Sequence, residues 1–358
     1  MALNIVRIWV RERLVGRILA TSDSNIAVDN LLHGLHQMGI RVIRIGRPAA
    51  IREDLQSLSL ENVGAELVPE MRFLEQQKAL GRAEVVCATC SGAASEILEK
   101  FQFGAVLLDE AAQCTEPSAI VSLTRGAGIL VLCGDHKQLP PTIICREAEQ
   151  DGLALSLFDR LAKRQEQAHA QQLQEQRLQL QHGVAPMTSL LPEQYAPLLL
   201  DVQYRSHPAI AHFPSLMFYE GRVRSGVSRS ARPPPSGYTW PNPEVPIAFH
   251  PCNNAAEARE GVSYSNYSEA AEVHRIVSGL LGGQQASDCR RYGGRPPTLR
   301  PQDIGIVTPY ASQVRCNTTH YLTVLCCVLV CTYIYIYDPT TNIFFCYCFF
   351  CLLFFLLI

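Results

Sequence analysis

Lysine is scarce in this sequence of 358 residues. The chain has 31 basic side chains, and no lysine among them follows a glycine. The phosphate-binding loop Gly-x-x-x-x-Gly-Lys-Ser/Thr needs that dipeptide, because its lysine and backbone N–H groups hold nucleotide phosphates. The printed sequence therefore contains no such loop. Only four lysines are present, namely Lys78, Lys100, Lys137 and Lys163.

Excess positive charge is also missing, since the net charge is −2 and the isoelectric point is about 6.6. A long-range attraction of the whole molecule to nucleic acid is therefore excluded, and any such binding would depend on a local groove. The N-terminus shows no charged-then-apolar pattern of a secretory leader. The length leaves room for two domains of ordinary size.

The density of cysteine differs between the body of the chain and its C-terminal end. Seven of the fourteen cysteines are scattered through residues 1–315, a usage typical of reduced, intracellular proteins, and the other seven crowd into residues 316–358. Cys87 and Cys90 have the spacing of a redox or metal-binding pair, but no second pair of cysteines or histidines complements them. We predict that they pack in the core, with redox or metal chemistry as the alternative.

Two short apolar runs, residues 105–108 and 129–132, end abruptly in polar side chains. Such runs are typical of buried strands in a parallel sheet, where chemistry collects at the carboxyl ends. Asp109 and Glu110 follow the first run, so we expect them where Mg²⁺ and the terminal phosphates of a nucleotide would lie. The alternative is a strand that simply ends in solvated acids.

Three strings in order make the pattern specific: Asp-Glu-Ala-Ala-Gln at 109–113, Gly-Asp-x-x-Gln-Leu-Pro-Pro at 134–141, and Gln-Tyr-Arg-Ser-His-Pro at 203–208. They resemble motifs II, III and IV of superfamily 1 helicases, in the branch of the nonsense-mediated-decay helicase and senataxin-like proteins. The resemblance implies an α/β fold with two RecA-like parallel-sheet domains of the P-loop NTPase helicase core. It also implies ATP and Mg²⁺ as cofactors, single-stranded RNA or DNA as partner, and ATP-driven translocation and unwinding.

The same resemblance assigns roles to single residues. Asp109 would coordinate Mg²⁺, Glu110 would activate water, Gln138 would sense the γ-phosphate, and Arg205 would act across the cleft from the second domain. Tyr204 would stack on the base of the nucleotide, or it packs in the core instead. Other residues expected near the nucleotide are Gln113, Gly134, Asp135 and Glu269.

Contacts to the nucleic-acid strand are expected from three places. Ser24 and Asn25 begin a helix, whose N-terminal N–H groups suit a phosphate, although an ordinary capped helix explains them equally well. Thr89 lies in a segment that resembles the family's backbone-holding motif. Thr308 and Tyr310 end a strand and would touch the single strand, as the family pattern implies.

Residues 1–200 are predicted to form the first RecA-like domain and residues 201–315 a partial second one. Within the first, residues 51–80 are interpreted as a helical, polar connector. The Gln-rich segment 165–182 has too few leucines for a buried face, so we expect an exposed helical insertion or disorder there.

The resemblance runs from about residue 18 to residue 315. It lacks the phosphate-binding loop and the later motifs V and VI, so we expect an incomplete core, a truncated gene model and no productive ATP hydrolysis. Residues 316–358 form an apolar tail, with runs at 321–337 and 343–358 of marginal length for membrane spans. The tail is a membrane hairpin or anchor, or it is non-native sequence such as translated intron, which we favour.

Three hypotheses on function follow. The first is an ATP-dependent RNA or DNA helicase, cytoplasmic or nuclear. The second is a catalytically dead fragment that binds nucleic acid or regulates another protein. The third is a membrane-tethered remnant, which requires that the tail be native.

Overall fold

The computed structural model describes residues 1–181, 198–252, 256–282, 299 and 301–317, with three short segments at 327–330, 335–337 and 344–346. The chain divides into two compact units, Met1–Pro197 and Leu198–Ile358.

The first unit is built on a parallel sheet of five strands in the order β2-β3-β1-β4-β5. The predicted α/β class with a parallel sheet is confirmed. The strands are β1 (Ile18–Ser22), β2 (Val42–Ile45), β3 (Val85–Thr89), β4 (Ala105–Leu108) and β5 (Ile129–Leu132). The helices are α1 (Ala2–Arg11), α2 (Asn25–Gln37), α3 (Pro69–Arg82), α4 (Glu116–Leu123), α5 (Arg146–Gln150) and α6 (Leu157–Gln181).

Both faces of the sheet are covered at the central strand β1, whose successive residues point to opposite sides. At the edge strand β5, Ile129 and Leu130 are exposed. Ile18 and Ala20 of β1 pack with α1 and α2, in a cluster that includes Val6 and Leu32. Leu19 points the other way, into a second cluster with residues of α3 and β4. All five residues of β1 are buried, as expected of a central strand.

A buried ion pair joins α2 to β2. The Nε of Arg44 donates to Oδ1 of Asp29 at 3.0 Å, and its Nη2 donates to Oδ1 of Asn25 at 2.8 Å. The other Asp29 oxygen accepts from the backbone N–H of Arg52 at 2.9 Å. Because the charges are buried, they are tolerated only when paired and hydrogen-bonded, so this network fixes the start of α2 against the sheet.

The predicted connector at 51–80 is only partly helical. Short 3-10 turns occupy Glu53–Leu58 and Leu60–Asn62, and a regular α-helix begins only at Pro69. Leu60 lies buried against the sheet, and its carbonyl accepts from the Nε2 of Gln76 at 3.0 Å. That tertiary contact replaces the helical hydrogen bonds that the local sequence favours.

The Gln-rich segment is helical up to Gln181, where the described residues of α6 end. The helix is anchored at its start, where Arg160 forms a bidentate ion pair with Glu116 of α4 at 2.7 and 2.6 Å. Of the two predicted states, the helix is therefore the one found for residues 165–181. Residue 182 lies outside the described residues.

The second unit consists of small sheets and helices. β6 and β7 pair in parallel, β8 and β9 are antiparallel, β10 pairs in parallel with β11, and β12 is antiparallel to β13. The strands are β6 (Val202–Gln203), β7 (Arg224–Ser225), β8 (Ala258–Glu260), β9 (Ser263–Ser265), β10 (Gly305–Thr308), β11 (Cys327–Val330), β12 (Tyr335–Tyr337) and β13 (Phe344–Cys346). The helices are α7 (Pro208–Tyr219), α8 (Tyr267–Gly282) and α9 (Ala311–Cys316).

Most of the two apolar runs of the tail lies outside the described residues. The three described segments within the runs are strands β11, β12 and β13. Among the helices that the structure describes, none has the length and apolar character needed to cross a bilayer.

Candidate nucleotide and nucleic-acid sites

The carboxyl end of β4 carries the two acidic residues. The backbone N–H of Asp109 donates to the carbonyl of Thr21 at 2.8 Å, so Asp109 is still held by β1. Burial raises the pKa of the Asp109 carboxyl above its ordinary value. A half-buried carboxylate with a raised pKa is typical of sites where a cation restores the ionised form.

Glu110 adopts a backbone conformation that is rare for its residue type, with φ 53° and ψ 39°. This left-handed conformation costs about 1–3 kcal/mol in a non-glycine residue. The left-handed conformation of Glu110 makes a sharp turn directly after β4, and the Glu110 side chain is exposed at this turn. The Nε2 of Gln113 donates to its Oε2 at 3.1 Å, which orients the carboxylate.

The turn after β5 lies against the turn after β4. β4 and β5 pair with Leu108 opposite Leu132, so both strands end at the same edge. The N–H of Ala111 donates to the carbonyl of Cys133 at 2.8 Å. A Cβ placed on Gly134 would lie 2.9 Å from the backbone nitrogen of Ala112, so only glycine allows this approach.

Asp135 and Gln138 form one hydrogen-bonded turn beside the acids. Oδ2 of Asp135 accepts from Nε2 of Gln138 at 2.7 Å, and Oδ1 accepts from the N–H of Lys137 at 3.0 Å. Burial together with the charges of Asp109 and Glu110 raises the pKa of the neighbouring Cys133 thiol to about 11. Six of the predicted nucleotide-site residues therefore gather at one sheet edge, namely Asp109, Glu110, Gln113, Gly134, Asp135 and Gln138.

The Gln-Tyr-Arg string begins with a residue that the sequence interpretation gave no role. Oε1 of Gln203 accepts from the backbone N–H groups of Arg205 and Ser206 at 3.0 and 2.8 Å. Its Nε2 donates to Oγ of Ser225 at 2.6 Å, on the neighbouring strand. Gln203 therefore fixes the turn that presents Arg205, whose side chain is exposed.

Tyr204 is 64% exposed, so the alternative that it packs in the core is wrong. Its ring lies against Gly226, where an added Cβ would come within 2.3 Å of the ring. Arg232 donates to the carbonyls of Tyr204 and Arg205 at 3.2 Å each, which holds this turn from the other side.

The start of α2 is a regular cap. Oγ of Ser24 accepts from the N–H of Ala27 at 3.1 Å, as the capping pattern predicts. Asn25 is exposed, but its side-chain oxygen accepts from Arg44. Oγ1 of Thr89 accepts from the N–H of Gly92 at 3.0 Å, so its hydroxyl shapes the turn after β3. Contacts of these residues to nucleic acid stay predictions.

Three predicted residues lie in the second unit, near the junction of β10, α8 and α9. Thr308 at the end of β10 is buried, and Tyr310 makes an edge-to-face contact with Tyr264 at 5.6 Å. Glu269 lies in the first turn of α8, and burial followed by the charge of Glu257 raises the pKa of its carboxyl.

Gln313 is buried at the same junction. It accepts from the N–H of Asn266 at 2.6 Å and donates to the carbonyl of that residue at 3.1 Å. It therefore joins the start of α8 to α9.

Comparison with known proteins identifies the family. Models described as AAA domain match residues 64–146 and 153–321. Regulator of nonsense transcripts 1 from Caenorhabditis elegans is 32% identical over 333 residues, covering 84% of this chain and 27% of that protein. ATP-dependent helicase NAM7 from Saccharomyces cerevisiae is 33% identical, covering 83% and 29%.

The chain thus spans less than a third of the length of these curated relatives. Among solved structures, the Pyrococcus furiosus Hef helicase domain matches with a TM-score of 0.25 and 19% identity, over 37% of this chain and 25% of that one. On the sequence matches, the chain belongs to the superfamily 1 helicases, in the branch of the regulators of nonsense transcripts.

Proposed function

We propose that this chain contributes to ATP-driven translocation on, and unwinding of, single-stranded RNA or DNA. The observation that carries the proposal is the shared edge of β4 and β5. Asp109 and Glu110 end one strand there, and the turn of Gly134, Asp135 and Gln138 follows the other. Relatives that are named ATP-dependent helicases support it.

Asp109 is the residue we assign to the metal. Its carboxylate supplies the hard oxygen ligand that Mg²⁺ prefers, at a half-buried position where its own ionisation is disfavoured. Mg²⁺ held by Asp109 would offset the negative charge of the nucleotide phosphates.

Glu110 accepts a proton from the attacking water in this scheme. The carboxylate is exposed and oriented by Gln113, so it can reach a water beside the terminal phosphate. Gln138 donates its amide to the γ-phosphate, and its bond to Asp135 keeps the amide in place before ATP binds. Gln113, Gly134 and Asp135 serve to position these groups.

The second unit supplies further groups. Arg205 would stabilise charge on the γ-phosphate, since a guanidinium offers two parallel donors to phosphate oxygens. Tyr204, exposed and supported by Gly226, suits stacking on the adenine base. Glu269 lies near the nucleotide by the family pattern. We propose RecA-like domains for residues 1–200 and 201–315.

Ser24, Asn25, Thr89, Thr308 and Tyr310 are proposed to hold the strand. The N-terminus of α2 offers backbone N–H groups to a phosphate, and that interaction is independent of sequence. RNA and DNA are both compatible with such contacts.

The experiment is ATP hydrolysis measured with and without single-stranded RNA. Turnover that RNA stimulates and that Glu110→Gln abolishes supports the helicase proposal. Glu99→Gln is the control, because Glu99 is an exposed acid after β3 and away from both strand ends. Turnover unchanged in Glu110→Gln would contradict the assignment.

A second function is favoured by one observation: no lysine follows a glycine in the printed sequence. The chain would then bind nucleic acid or regulate a partner without hydrolysing ATP. RNA binding without any turnover, in the unsubstituted chain and in both variants, supports this second function.

A further inference from the structure

Three side chains with metal-binding atoms converge beside the proposed nucleotide site. Asp23 follows β1, Cys90 follows β3, and Cys114 lies six residues after the end of β4. One ligand atom from each lies within 4.8 Å of the other two. Both thiols are free and buried, whereas Asp23 is exposed. The proposed function uses none of the three.

The two sulfur atoms are spaced as in a metal site. The Sγ atoms of Cys90 and Cys114 are 3.6 Å apart. Two thiolates on one tetrahedral zinc ion, each at about 2.3 Å, lie roughly 3.8 Å apart. Closing the site on an ion therefore requires little movement, and Asp23 supplies a third ligand on the solvent side.

Buried hydroxyl groups surround the sulfur of Cys90. Oγ1 of Thr21 donates to it at 3.5 Å, and Oγ of Ser122 lies 3.4 Å from that oxygen. Donors of this kind stabilise a thiolate and orient it toward a metal.

We propose that Cys90, Cys114 and Asp23 bind a thiophilic divalent cation, with Zn²⁺ as the best-fitting ion. Both thiols lose their protons on binding, so two protons are released for each ion bound. Three protein ligands leave the fourth tetrahedral position to water. The site joins the segments that follow three strands, including the one that carries Glu110 and Gln113.

Cys87 is not part of this site, although its spacing from Cys90 resembles that of a metal-binding pair. Cys87 lies in the core cluster on the α2 face of the sheet, and Cys90 lies in a different cluster with Cys114. Burial raises the pKa of the Cys87 thiol to about 12, which suits an inert core position. The real partner of Cys90 is 24 residues further along the chain.

The test is metal binding by the full chain, with Zn²⁺ counted per chain and Co²⁺ as the spectroscopic probe. We expect sulfur-to-cobalt charge-transfer absorption and the visible bands of tetrahedral Co²⁺. Cys114→Ser should remove one bound ion per chain together with these bands. Counting the ion lost, rather than the total, separates this site from the cysteines of residues 316–358.

Asp23→Asn provides a variant that keeps the core intact, because Asp23 is exposed. It should weaken binding at this site by about tenfold or more. Cys145→Ser is the matched control, since Cys145 is an exposed cysteine outside the cluster, and it should bind like the unsubstituted chain.

Three results would overturn the proposal. The first is a Cys114→Ser variant that binds as many ions per chain as the unsubstituted protein. The second is an Asp23→Asn variant whose affinity for the metal ion equals that of the unsubstituted protein. The third is the formation of a disulfide between Cys90 and Cys114 under mild oxidation, together with no metal uptake by the reduced chain.

Discussion

Asp109 carries a conflict between stability and function at the scale of a single residue. Its carboxyl is half-buried, and burial raises its pKa above the ordinary 3.8. A raised pKa means that the folded state binds the proton more tightly than the unfolded state. The stability contributed by this group is therefore present at low pH and lost as the pH rises through the folded-state pKa.

The first prediction concerns Asp109→Asn. At neutral pH this variant should be more stable than the unsubstituted chain, because it removes a partly desolvated charge. The difference should shrink as the pH falls through the raised pKa toward 3.8. Urea unfolding over a pH series measures it. A variant that is less stable at neutral pH, or a difference that does not vary with pH, would refute this explanation.

Gly134 is the second residue whose surroundings determine how a substitution changes the stability of the fold. Gly134→Ala should destabilise the fold by about 1–3 kcal/mol, since its Cβ would meet the backbone nitrogens of Ala111 and Ala112. Gly81→Ala is the control: it lies in α3 with nothing within 4 Å of the added Cβ. There alanine should stabilise by roughly 0.5–1 kcal/mol. Equal effects in the two variants would argue against the close approach of the two turns.

At the scale of the element, the start of α2 has two candidate roles that one substitution can separate. Aspartate caps a helix about as well as serine and also suits the positive end of the helix dipole. Ser24→Asp should therefore preserve stability. Its negative charge should nevertheless weaken single-stranded RNA binding several-fold at low salt, if a phosphate lies at this N-terminus.

The control for this experiment is Ser24→Ala, which should cost roughly 0.5–2 kcal/mol of stability because the bond to Ala27 is lost. Binding by filter retention and stability by urea unfolding are measured on the same preparations. RNA binding that is identical in Ser24→Asp and the unsubstituted chain would leave only the capping role.

Elements with a clear local pattern were predictable from the sequence. The apolar runs at 105–108 and 129–132 form β4 and β5, and Ser24 caps α2 as its residue type indicates. The predicted burial is confirmed for β4 and wrong for β5, because β5 lies at the edge of the sheet with Ile129 and Leu130 exposed. The connector at 51–80 was predicted less well, because the burial of Leu60 and its bond to Gln76 are tertiary effects. The pairing of Cys90 with Cys114 depends on a sheet in which β1 lies between β3 and β4, and no local spacing encodes that order.

The same difference between local pattern and tertiary contact applies to the residues of the candidate site. Asp109 and Glu110 could be proposed because they follow a recognisable strand, and Gln138 because its string resembles a helicase motif. Gln203 could not, because its role is to hold the turn of Arg205 through backbone contacts that only the folded chain reveals. The exposure of Tyr204 likewise depends on its neighbour Gly226 across the β6–β7 pair, not on its own surroundings in the sequence.

At the scale of the whole molecule, net charge gives no attraction for nucleic acid or nucleotide. Binding must therefore come from particular groups, and the acids at the edge of β4 would themselves repel the phosphates of ATP. A divalent cation removes that repulsion, since it binds the carboxylate and the phosphates together. The affinity for ATP is therefore expected to depend on Mg²⁺ through Asp109.

The affinity of the full chain for ATP, measured with and without Mg²⁺ in the unsubstituted protein and in Asp109→Asn, tests this claim most directly. Glu99→Gln is the control for removal of one carboxylate from the same unit. We predict that Mg²⁺ tightens ATP binding in the unsubstituted chain and in Glu99→Gln, and that Asp109→Asn loses this dependence. Dependence on Mg²⁺ that survives in full in Asp109→Asn would contradict the account.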